Sequence, residues 1–393
     1  MRTRLPVALA VALAAALLPA ATAWAQDPGR WALAQADRVP LEYYQGLTHS
    51  PGRSLFFVGV FQGAYATDDG LREAARNPQV LPPDVGALGF NHIGDPTYDA
   101  GEGGRLLLPL ECYTPGAPNG GNTCGRGAIG VADPATLSWR YLVPLDPADI
   151  HKAMWAEVSP DGSLLWTSAG ADLIAYATAD ISPPAASAGG FIHPVRRIAG
   201  AAPPSGITGG AFWHGRLYLA GQGTGLGRRL QIWSVDLSGR SPRRLEVELP
   251  VAAESEGLDV IDARGGLLHW LLSPFAPGAQ APTFGTGHSE LLTFVPRTES
   301  QLRLTVTPAH PAGGRPVTLT ARVTIAYAGR RRAVEGARVQ AGSAVARTDP
   351  RGTVRLRVTP RAAGSVLVTA TKQQLVTGRF TVRTAGRRGI AQG

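Results

Sequence analysis

The chain has 393 residues, 44% of them hydrophobic, which is enough to bury a sizeable core. Its 38 Lys and Arg outnumber 29 Asp and Glu, so the formal net charge is +9. Residues 26–299 carry a formal net charge of −8 and residues 300–393 a formal net charge of +15. This difference excludes a uniformly basic chain and indicates an acidic body followed by a basic domain.

The first residues have the pattern of a secretory signal peptide. Arg2 and Arg4 precede an apolar run from Leu5 to Ala23, and Ala23-Trp24-Ala25 matches a cleavage site. We therefore predict that residues 1–25 are removed and that the mature protein is secreted, extracellular or cell-wall associated. No later segment is apolar for long enough to cross a bilayer, so no transmembrane segment is predicted.

Residues 26–299 have almost no helical periodicity and contain a phrase that recurs five times, starting at Gln45, Asn91, Met154, Ile207 and Glu256. Each copy fits an innermost strand, a hairpin turn and a second strand. The period of roughly 50 residues is typical of a four-stranded propeller blade. We predict an all-β fold with a β-propeller of about five blades, and a sixth blade is the alternative.

The segment from Arg30 to Val39 reads as a strand that has no blade of its own. We predict that it completes the last blade and so leaves no open sheet edge.

Both cysteines, Cys112 and Cys124, lie in one loop rich in Gly and Pro. In an oxidising compartment such a close pair is predicted to form a disulfide. Metal binding by the two thiolates is disfavoured because the spacing contains neither a C-x-x-C pair nor a nearby His.

Residues 300–384 show seven short strands, the pattern of an immunoglobulin-like β-sandwich, with Arg330–Arg332 in a loop. Apolar and polar residues alternate along each strand, which places the arginines on outward faces. Only residues 385–393 have no anchoring pattern, and they are predicted to be a disordered tail.

Two sets of segments resemble known families. The segments Glu335–Asp349, Gly352–Val358 and Gly364–Thr371 resemble bacterial Ig-like and carboxypeptidase-regulatory-like modules, which implies a spacer or adhesion module without catalysis. The segment Val158–Trp166 and the phrase Glu256-Gly-Leu-Asp resemble the secreted propellers of the broad strictosidine-synthase-like and lactonase-like class. That second resemblance implies a fold rather than an activity.

Polar residues on the innermost strands of a ring converge on its axis, so these positions give the site candidates. The candidate ligand-binding residues are His49, Asn91, His92, Asp95, Glu157, Glu256 and Asp259, and the candidate catalytic residues are His92, Asp95 and Glu111. The oxygens of Asn91, Asp95, Glu157 and Glu256 would suit Ca²⁺, the one cofactor that the pattern suggests. The alternative is that these groups are structural hydrogen bonders between blades.

The arginines of the basic domain give a second candidate surface. Arg303, Arg322, Arg355 and Arg357 are predicted on outward strand faces, where they would attract an anionic cell-wall polymer or surface. The alternative is a solvated face. Nucleic acid is not an expected partner, because the protein is exported and the domain has no set of stacking aromatics.

These observations favour a secreted, monomeric binding protein whose channel holds a small molecule, an ion or a polymer, while the basic domain associates with an anionic surface. The alternative is a Ca²⁺-dependent hydrolase of the lactonase or esterase type, in which the ion polarises an ester carbonyl beside a basic side chain. The sequence leaves open whether the protein is an enzyme.

Overall fold

The structure is a computed structural model, and it describes residues 31–384 except 53, 60–61, 116–120, 184–189, 224–228, 239–242, 262–265, 276–286, 297–300, 328–329, 362–363 and 373–377. The predicted signal peptide, residues 1–25, and the predicted tail, residues 385–393, lie outside the described residues.

The described chain is almost entirely β-structure, which confirms the predicted all-β class. The α-helix α1 (Pro83–Ala87) is a single short turn that begins after Pro82. No helix in the described part of the chain is both long enough and apolar enough to span a membrane.

Residues 31–296 form five antiparallel sheets, named sheets 1 to 5 here. The first strand, β1 (Trp31–Pro40), belongs to sheet 5. Sheet 1 consists of β2 (Gly46–His49), β3 (Leu55–Val58), β4 (Ala64–Thr67) and β5 (Glu73–Asn77). Sheet 2 consists of β6 (His92–Ile93), β7 (Thr97–Asp99), β8 (Arg105–Glu111), β9 (Ala128–Ala132) and β10 (Trp139–Pro144), with β6 and β7 both paired to β8.

The other three sheets follow the same plan of four strands in order. Sheet 3 consists of β11 (Glu157–Val158), β12 (Leu164–Ala169), β13 (Asp172–Ala177) and β14 (Arg196–Ile198). Sheet 4 consists of β15 (Ser205–Trp213), β16 (Arg216–Gly223), β17 (Leu230–Val235) and β18 (Arg244–Leu249). Sheet 5 consists of β19 (Ala253–Ile261), β20 (Leu267–Pro274), β21 (His288–Pro296) and β1.

The five sheets are arranged in a cycle, which gives the body a propeller-like form. The innermost strands contact each other in the order β2, β7, β11, β15, β19 and again β2. A buried hydrophobic cluster lies between each pair of neighbouring sheets. Strand β1 pairs along its length with β21, as predicted for the segment that completes the last repeat.

The basic domain contains eight described strands in two antiparallel sheets. One sheet contains β22 (Arg303–Thr307), β23 (Val317–Tyr327), β24 (Arg330–Ala333) and β27 (Thr353–Val358). The other contains β25 (Arg338–Ala341), β26 (Ala344–Arg347), β28 (Ser365–Thr371) and β29 (Gly378–Arg383). A hydrophobic core built from strands of both sheets is buried in the domain. The prediction of seven strands was one short, because Arg330–Ala333 pairs with β23 instead of forming a loop.

The predicted disulfide between Cys112 and Cys124 is confirmed. Cys112 directly follows β8, so the bond ties the loop after this strand back to sheet 2.

Trp31 anchors the closing strand and offers the first test of the cycle. Its ring is 2% exposed and lies 4.6 Å from the Trp213 ring and 5.8 Å from the Tyr218 ring, centroid to centroid. We expect Trp31→Ala to lower the free energy of unfolding by about 3–5 kcal/mol, because a large buried side chain is removed. Urea unfolding measures this loss. The exposed Arg38→Ala on the same strand is the control, and equal stability of the two variants would contradict the closing role of β1.

Candidate functional site

The Asp95 carboxylate lies where the innermost strands meet. It follows β6, is fully buried, and accepts a hydrogen bond from the backbone N–H of Leu47 in sheet 1 at 2.9 Å. It also accepts from the N–H groups of Gly210 in sheet 4 and Leu258 in sheet 5, both at 3.2 Å. Its backbone forms a parallel bridge to Trp155, next to β11 of sheet 3. One residue of sheet 2 is therefore bonded to each of the other four sheets.

Glycines make this close approach possible. A Cβ atom at Gly257 would lie 2.5 Å from Asp95 Oδ1, and one at Gly209 would lie 2.8 Å from Oδ2. A Cβ at Gly46 would lie 2.6 Å from the Asp95 Cα. Backbone and carboxylate thus fill the axis at this level, and the polar side chains of the innermost strands are divided into two groups on either side of it.

The first group, called the acidic cluster here, consists of Tyr44, Gln45, His92, Glu111, Tyr113, Glu254 and Glu256. The register of β6 and β8 places His92 opposite Glu111, and its Nδ1 lies 2.9 Å from Glu111 Oε1. The His92 Nε2 lies 2.6 Å from Gln45 Oε1. Gln45 Nε2 donates to Glu256 Oε2 at 3.0 Å, so a continuous polar chain links sheets 2, 1 and 5.

The acidic cluster concentrates negative charge in a buried place. Burial, followed by repulsion from Glu254, raises the pKa of Glu256 well above its ordinary value. Burial also raises the pKa of the Tyr113 phenol, and the charges that add to this shift belong to Glu254, Glu111 and Glu256. Several carboxylates held together out of water are costly unless a proton or a cation compensates them.

Two carboxylate oxygens of the cluster lack a hydrogen-bond partner among the described residues. They are Glu111 Oε2 and Glu256 Oε1. The side chain of Glu111 is 2% exposed, and Glu256 is 4% exposed. Buried polar atoms in folded proteins nearly always have a partner. These two acceptors therefore indicate a place for a donor or a cation.

The second group, called the opposite cluster here, consists of His49, Thr97, Glu157 and Asp259. His49 Nδ1 lies 2.8 Å from Asp259 Oδ1. Thr97 Oγ1 donates to Glu157 Oε2 at 2.8 Å, and the Phe212 N–H donates to Oε1 at 3.1 Å. Burial, followed by repulsion from Asp259, raises the pKa of Glu157 to about 8. Both carboxylate oxygens of Glu157 are bonded within the protein, so this group ties sheets 2, 3 and 4 together.

The structure distributes the predicted site residues over three places. His92, Glu111 and Glu256 lie in the acidic cluster, Glu157, His49 and Asp259 lie in the opposite cluster, and Asp95 lies between them. The Asn91 side chain is used locally: Nδ2 donates to the Tyr113 carbonyl at 2.9 Å, and Oδ1 accepts from the Tyr113 N–H at 2.7 Å. The four residues predicted as metal ligands therefore do not surround one point.

One group of His, Cys, Asp or Glu side chains in the described part of the chain has three ligand atoms within 4.8 Å of each other, and it lies outside both clusters: Asp146, Asp149 and His193. His193 is exposed, and Arg197 forms an ion pair with Asp149 at 3.3 Å. The cationic Arg197 already compensates this surface group.

Sequence reasoning did not single out Tyr44, Gln45 and Thr97 as site residues. The repeat contained a signal for one of them: Gln45-Gly-Leu-Thr occupies the same place in its repeat as Glu256-Gly-Leu-Asp does in the last one. Aligning the glycines that face Asp95 would have placed Gln45 beside Glu256. Thr97 had no such signal. It lies on β7, a strand of sheet 2 that the repeated phrase did not cover.

No family model matches this chain, and no curated protein matches it. Among solved structures, glutaminyl cyclase from Myxococcus xanthus is 11% identical with a TM-score of 0.37, covering 67% of this chain and 95% of its own. The GH43 protein BlXynB from Bacillus licheniformis is 9% identical with a TM-score of 0.42, and the match covers 90% of this chain and 97% of that protein. A glucose dehydrogenase is 12% identical with a TM-score of 0.37, and the match covers 66% of this chain and 99% of that protein. At such low scores, the activities of these proteins have no bearing on this chain.

The raised pKa of Glu157 predicts a pH-dependent stability. Because the folded-state pKa of about 8 lies above the unfolded value of 4.5, the protonated group stabilises the fold at low pH, and this contribution is lost as the pH rises from 4.5 to 8. We expect Glu157→Gln to match the wild type at pH 4.5 and to be more stable by on the order of 2 kcal/mol at pH 8.5.

Urea unfolding at the two pH values measures this difference. Asp180→Asn, at an exposed position, is the control and should show no such pH dependence. A Glu157→Gln variant that is less stable than the wild type at pH 8.5 would contradict the assignment.

Proposed function

We propose that the acidic cluster binds a small organic cation and that the protein is an exported binding protein. The observation that carries the proposal is the pair of buried, unpartnered oxygens, Glu111 Oε2 and Glu256 Oε1, in a cluster whose nearby charges are carboxylates. A cation placed near them would compensate the two causes that raise the pKa of Glu256, which are burial and, after it, repulsion from Glu254.

Two features favour an organic ammonium group over a bare metal ion. No three His, Asp or Glu side chains of the cluster offer ligand atoms within 4.8 Å of one another, whereas Ca²⁺ needs six to eight oxygens at short distance. Aromatic rings also border the site, since Tyr113 lies 5.0 Å from the His92 ring and is 37% exposed. Tyrosine faces attract ammonium groups through cation–π interactions.

The architecture that we propose for this function has three parts. Residues 1–25 would be a signal peptide, residues 26–299 a five-bladed β-propeller, and residues 300–384 an Ig-like sandwich that retains the protein at an anionic surface. The closed cycle of five sheets supports the blade number, and the disulfide is compatible with an oxidising compartment.

Cation binding gives a direct test. We expect isothermal titration calorimetry to detect binding of tetramethylammonium chloride, and Glu256→Gln or Glu111→Gln to weaken it at least tenfold, which is about 1.4 kcal/mol. Affinity should rise with pH and binding should release protons, because Glu256 must ionise to act as a counter-charge.

The control is Glu248→Gln, which removes a carboxylate from the outermost strand of sheet 4 and should leave binding unchanged. The proposal is wrong if tetramethylammonium gives no binding, or if all three variants bind it alike.

A second candidate is the Ca²⁺-dependent hydrolase. The observation in its favour is His92 Nδ1, which is buried without a hydrogen-bond partner among the described residues and lies 2.9 Å from Glu111 Oε1, because such an imidazole nitrogen can act as a general base. Glu111 and Glu256 would hold the ion, which when bound would polarise an ester carbonyl. His92 Nε2 must donate to Gln45 Oε1, an acceptor 2.6 Å away, so His92 Nδ1 would accept the proton of the attacking water.

This candidate predicts hydrolysis of lactones or p-nitrophenyl esters that requires added CaCl2 and stops with EDTA. His92→Ala should lower the rate at least 100-fold, in the range for loss of a general base, whereas the exposed His193→Ala should not. Turnover no faster than in buffer would reject the hydrolase.

A further inference from the structure

The sheet formed by β22, β23, β24 and β27 presents an outward face of arginine and small residues. The outward positions with described side chains are Arg303, Thr305 and Thr307 on β22, Thr318, Thr320, Arg322, Thr324 and Ala326 on β23, Arg331 and Ala333 on β24, and Thr353, Arg355 and Arg357 on β27. None of these positions carries a carboxylate. The alternate residues of the same strands, such as Leu304, Leu319 and Leu356, are buried in the core.

The register aligns four arginines in a diagonal row. On β27, Arg357 lies opposite Thr318 and Arg355 lies opposite Thr320 of the central strand. Arg322 occupies the next outward position of that strand. Arg303 on β22 lies opposite Thr324, one outward position further again.

The spacing follows from strand geometry. Two residues along a strand span about 7 Å, and neighbouring strands lie about 4.8 Å apart, so each diagonal step is about 8 Å. The four Cα positions therefore extend over about 23 Å, with a cation every 7–8 Å. Arg331, at the far end of the face, continues the positive charge.

The arginines of this row are available for a partner. Among the described residues, none of the four forms a hydrogen bond or an ion pair, and the only two carboxylates after residue 299 lie in turns outside the strands. On the other sheet, by contrast, Arg338 donates to Gln340 Oε1 at 2.9 Å and Arg347 donates to the Gly336 carbonyl at 2.9 Å. Arg379 and Arg383 on that sheet form no such bond among the described residues either, so the row differs from them in its regular spacing and not in availability alone.

The residues between the arginines restrict the kind of partner. Apart from the arginines, the described side chains on this face are threonine and alanine. They include no large apolar group that could enter a bilayer and no aromatic ring that could stack on a base. Threonine hydroxyls can hydrogen-bond to sugar hydroxyls, and guanidinium groups bind carboxylates with two parallel hydrogen bonds. A regular row of such groups matches a linear chain with repeated acidic groups.

We propose that the row Arg303, Arg322, Arg355 and Arg357 binds a linear anionic glycan, a polysaccharide with carboxylate groups along its chain. This inference deepens the proposed function, because it rests on the retention of the protein at an anionic surface and names the polymer class and the residues. The glycan lies diagonally across the strands, and the threonines on either side contact its hydroxyls.

The test compares two double variants of the full mature chain that have the same net charge. Arg322→Thr/Arg355→Thr removes the middle of the row, and Arg379→Thr/Arg383→Thr removes two exposed arginines of β29 on the other sheet. Threonine is favourable in strands, so both variants should keep the fold, which thermal unfolding checks. Binding to immobilised alginate is measured over a series of NaCl concentrations.

We expect the row variant to bind alginate at least tenfold more weakly than the wild type at low salt and the control variant to change less than threefold. The slope of log affinity against log salt should fall by about 1 to 2 for the row variant, as for the loss of two charge contacts to a polyelectrolyte. Equal losses in the two variants would overturn the row as a specific site.

Vesicles containing phosphatidylglycerol separate the polymer from a membrane. Stronger binding to these vesicles than to alginate would overturn the glycan assignment in favour of lipid. If neither alginate nor vesicles bind at low salt, the proposed surface retention itself is wrong. Tetramethylammonium binding, measured on the same samples, reports independently whether the acidic cluster functions.

Discussion

The body of this protein depends on a buried carboxylate that accepts three backbone N–H groups from three different sheets. Antiparallel sheets in a cycle bury apolar side chains between their faces, but nothing in that packing satisfies the polar backbone of the innermost strands at the axis. Asp95 supplies the acceptors, and Gly46, Gly209 and Gly257 allow it to approach. Burial raises the pKa of Asp95 well above its ordinary value and the three donors oppose this shift, so the hydrogen bonds offset part of the cost of placing the group there.

The same arrangement determines where a ligand can bind. Because the axis is filled at the level of Asp95, the polar residues of the innermost strands form two separate clusters with different chemistry. In the opposite cluster both oxygens of Glu157 have protein donors, so that carboxyl is part of the structure. In the acidic cluster two buried oxygens have none, and the surrounding charges are carboxylates. A cation would therefore fit the acidic cluster better than the opposite cluster, and in the proposed function the basic domain would hold the protein at an acidic polymer.

The period of the repeats made much of the fold predictable from sequence. The recurring strand and turn phrases located the innermost strands of four sheets, but in sheet 2 the phrase covered β6 and β8 and not β7. The prediction that the strand near Trp31 completes the last repeat is confirmed by its pairing with β21. The disulfide followed from two cysteines in one loop. The alternation of arginine with apolar residues in the basic domain placed Arg303, Arg322, Arg355 and Arg357 on outward positions. Their alignment in a row depends on strand register, which a sequence without a known partner strand does not contain.

The site was less predictable, for a physical reason. The period shows which polar residues face the axis, but their height along it depends on where each strand crosses its neighbours. Glu256 and Asp259 are three residues apart on one strand and belong to different clusters, on either side of the Asp95 level. A prediction that all axial residues meet at one point therefore combined groups that the filled axis keeps apart.

The most direct test of the account is the stability of Asp95→Asn in urea unfolding at neutral pH. Asparagine has nearly the same shape, but its NH2 group would face either the N–H groups of both Gly210 and Leu258 or, with the amide flipped, the N–H group of Leu47. Because a buried N–H group left without an acceptor costs about 1–3 kcal/mol, we expect a loss of at least about 1 kcal/mol in the free energy of unfolding. A variant within about 0.5 kcal/mol of the wild type, the usual range for surface substitutions, would contradict the central role of this carboxylate.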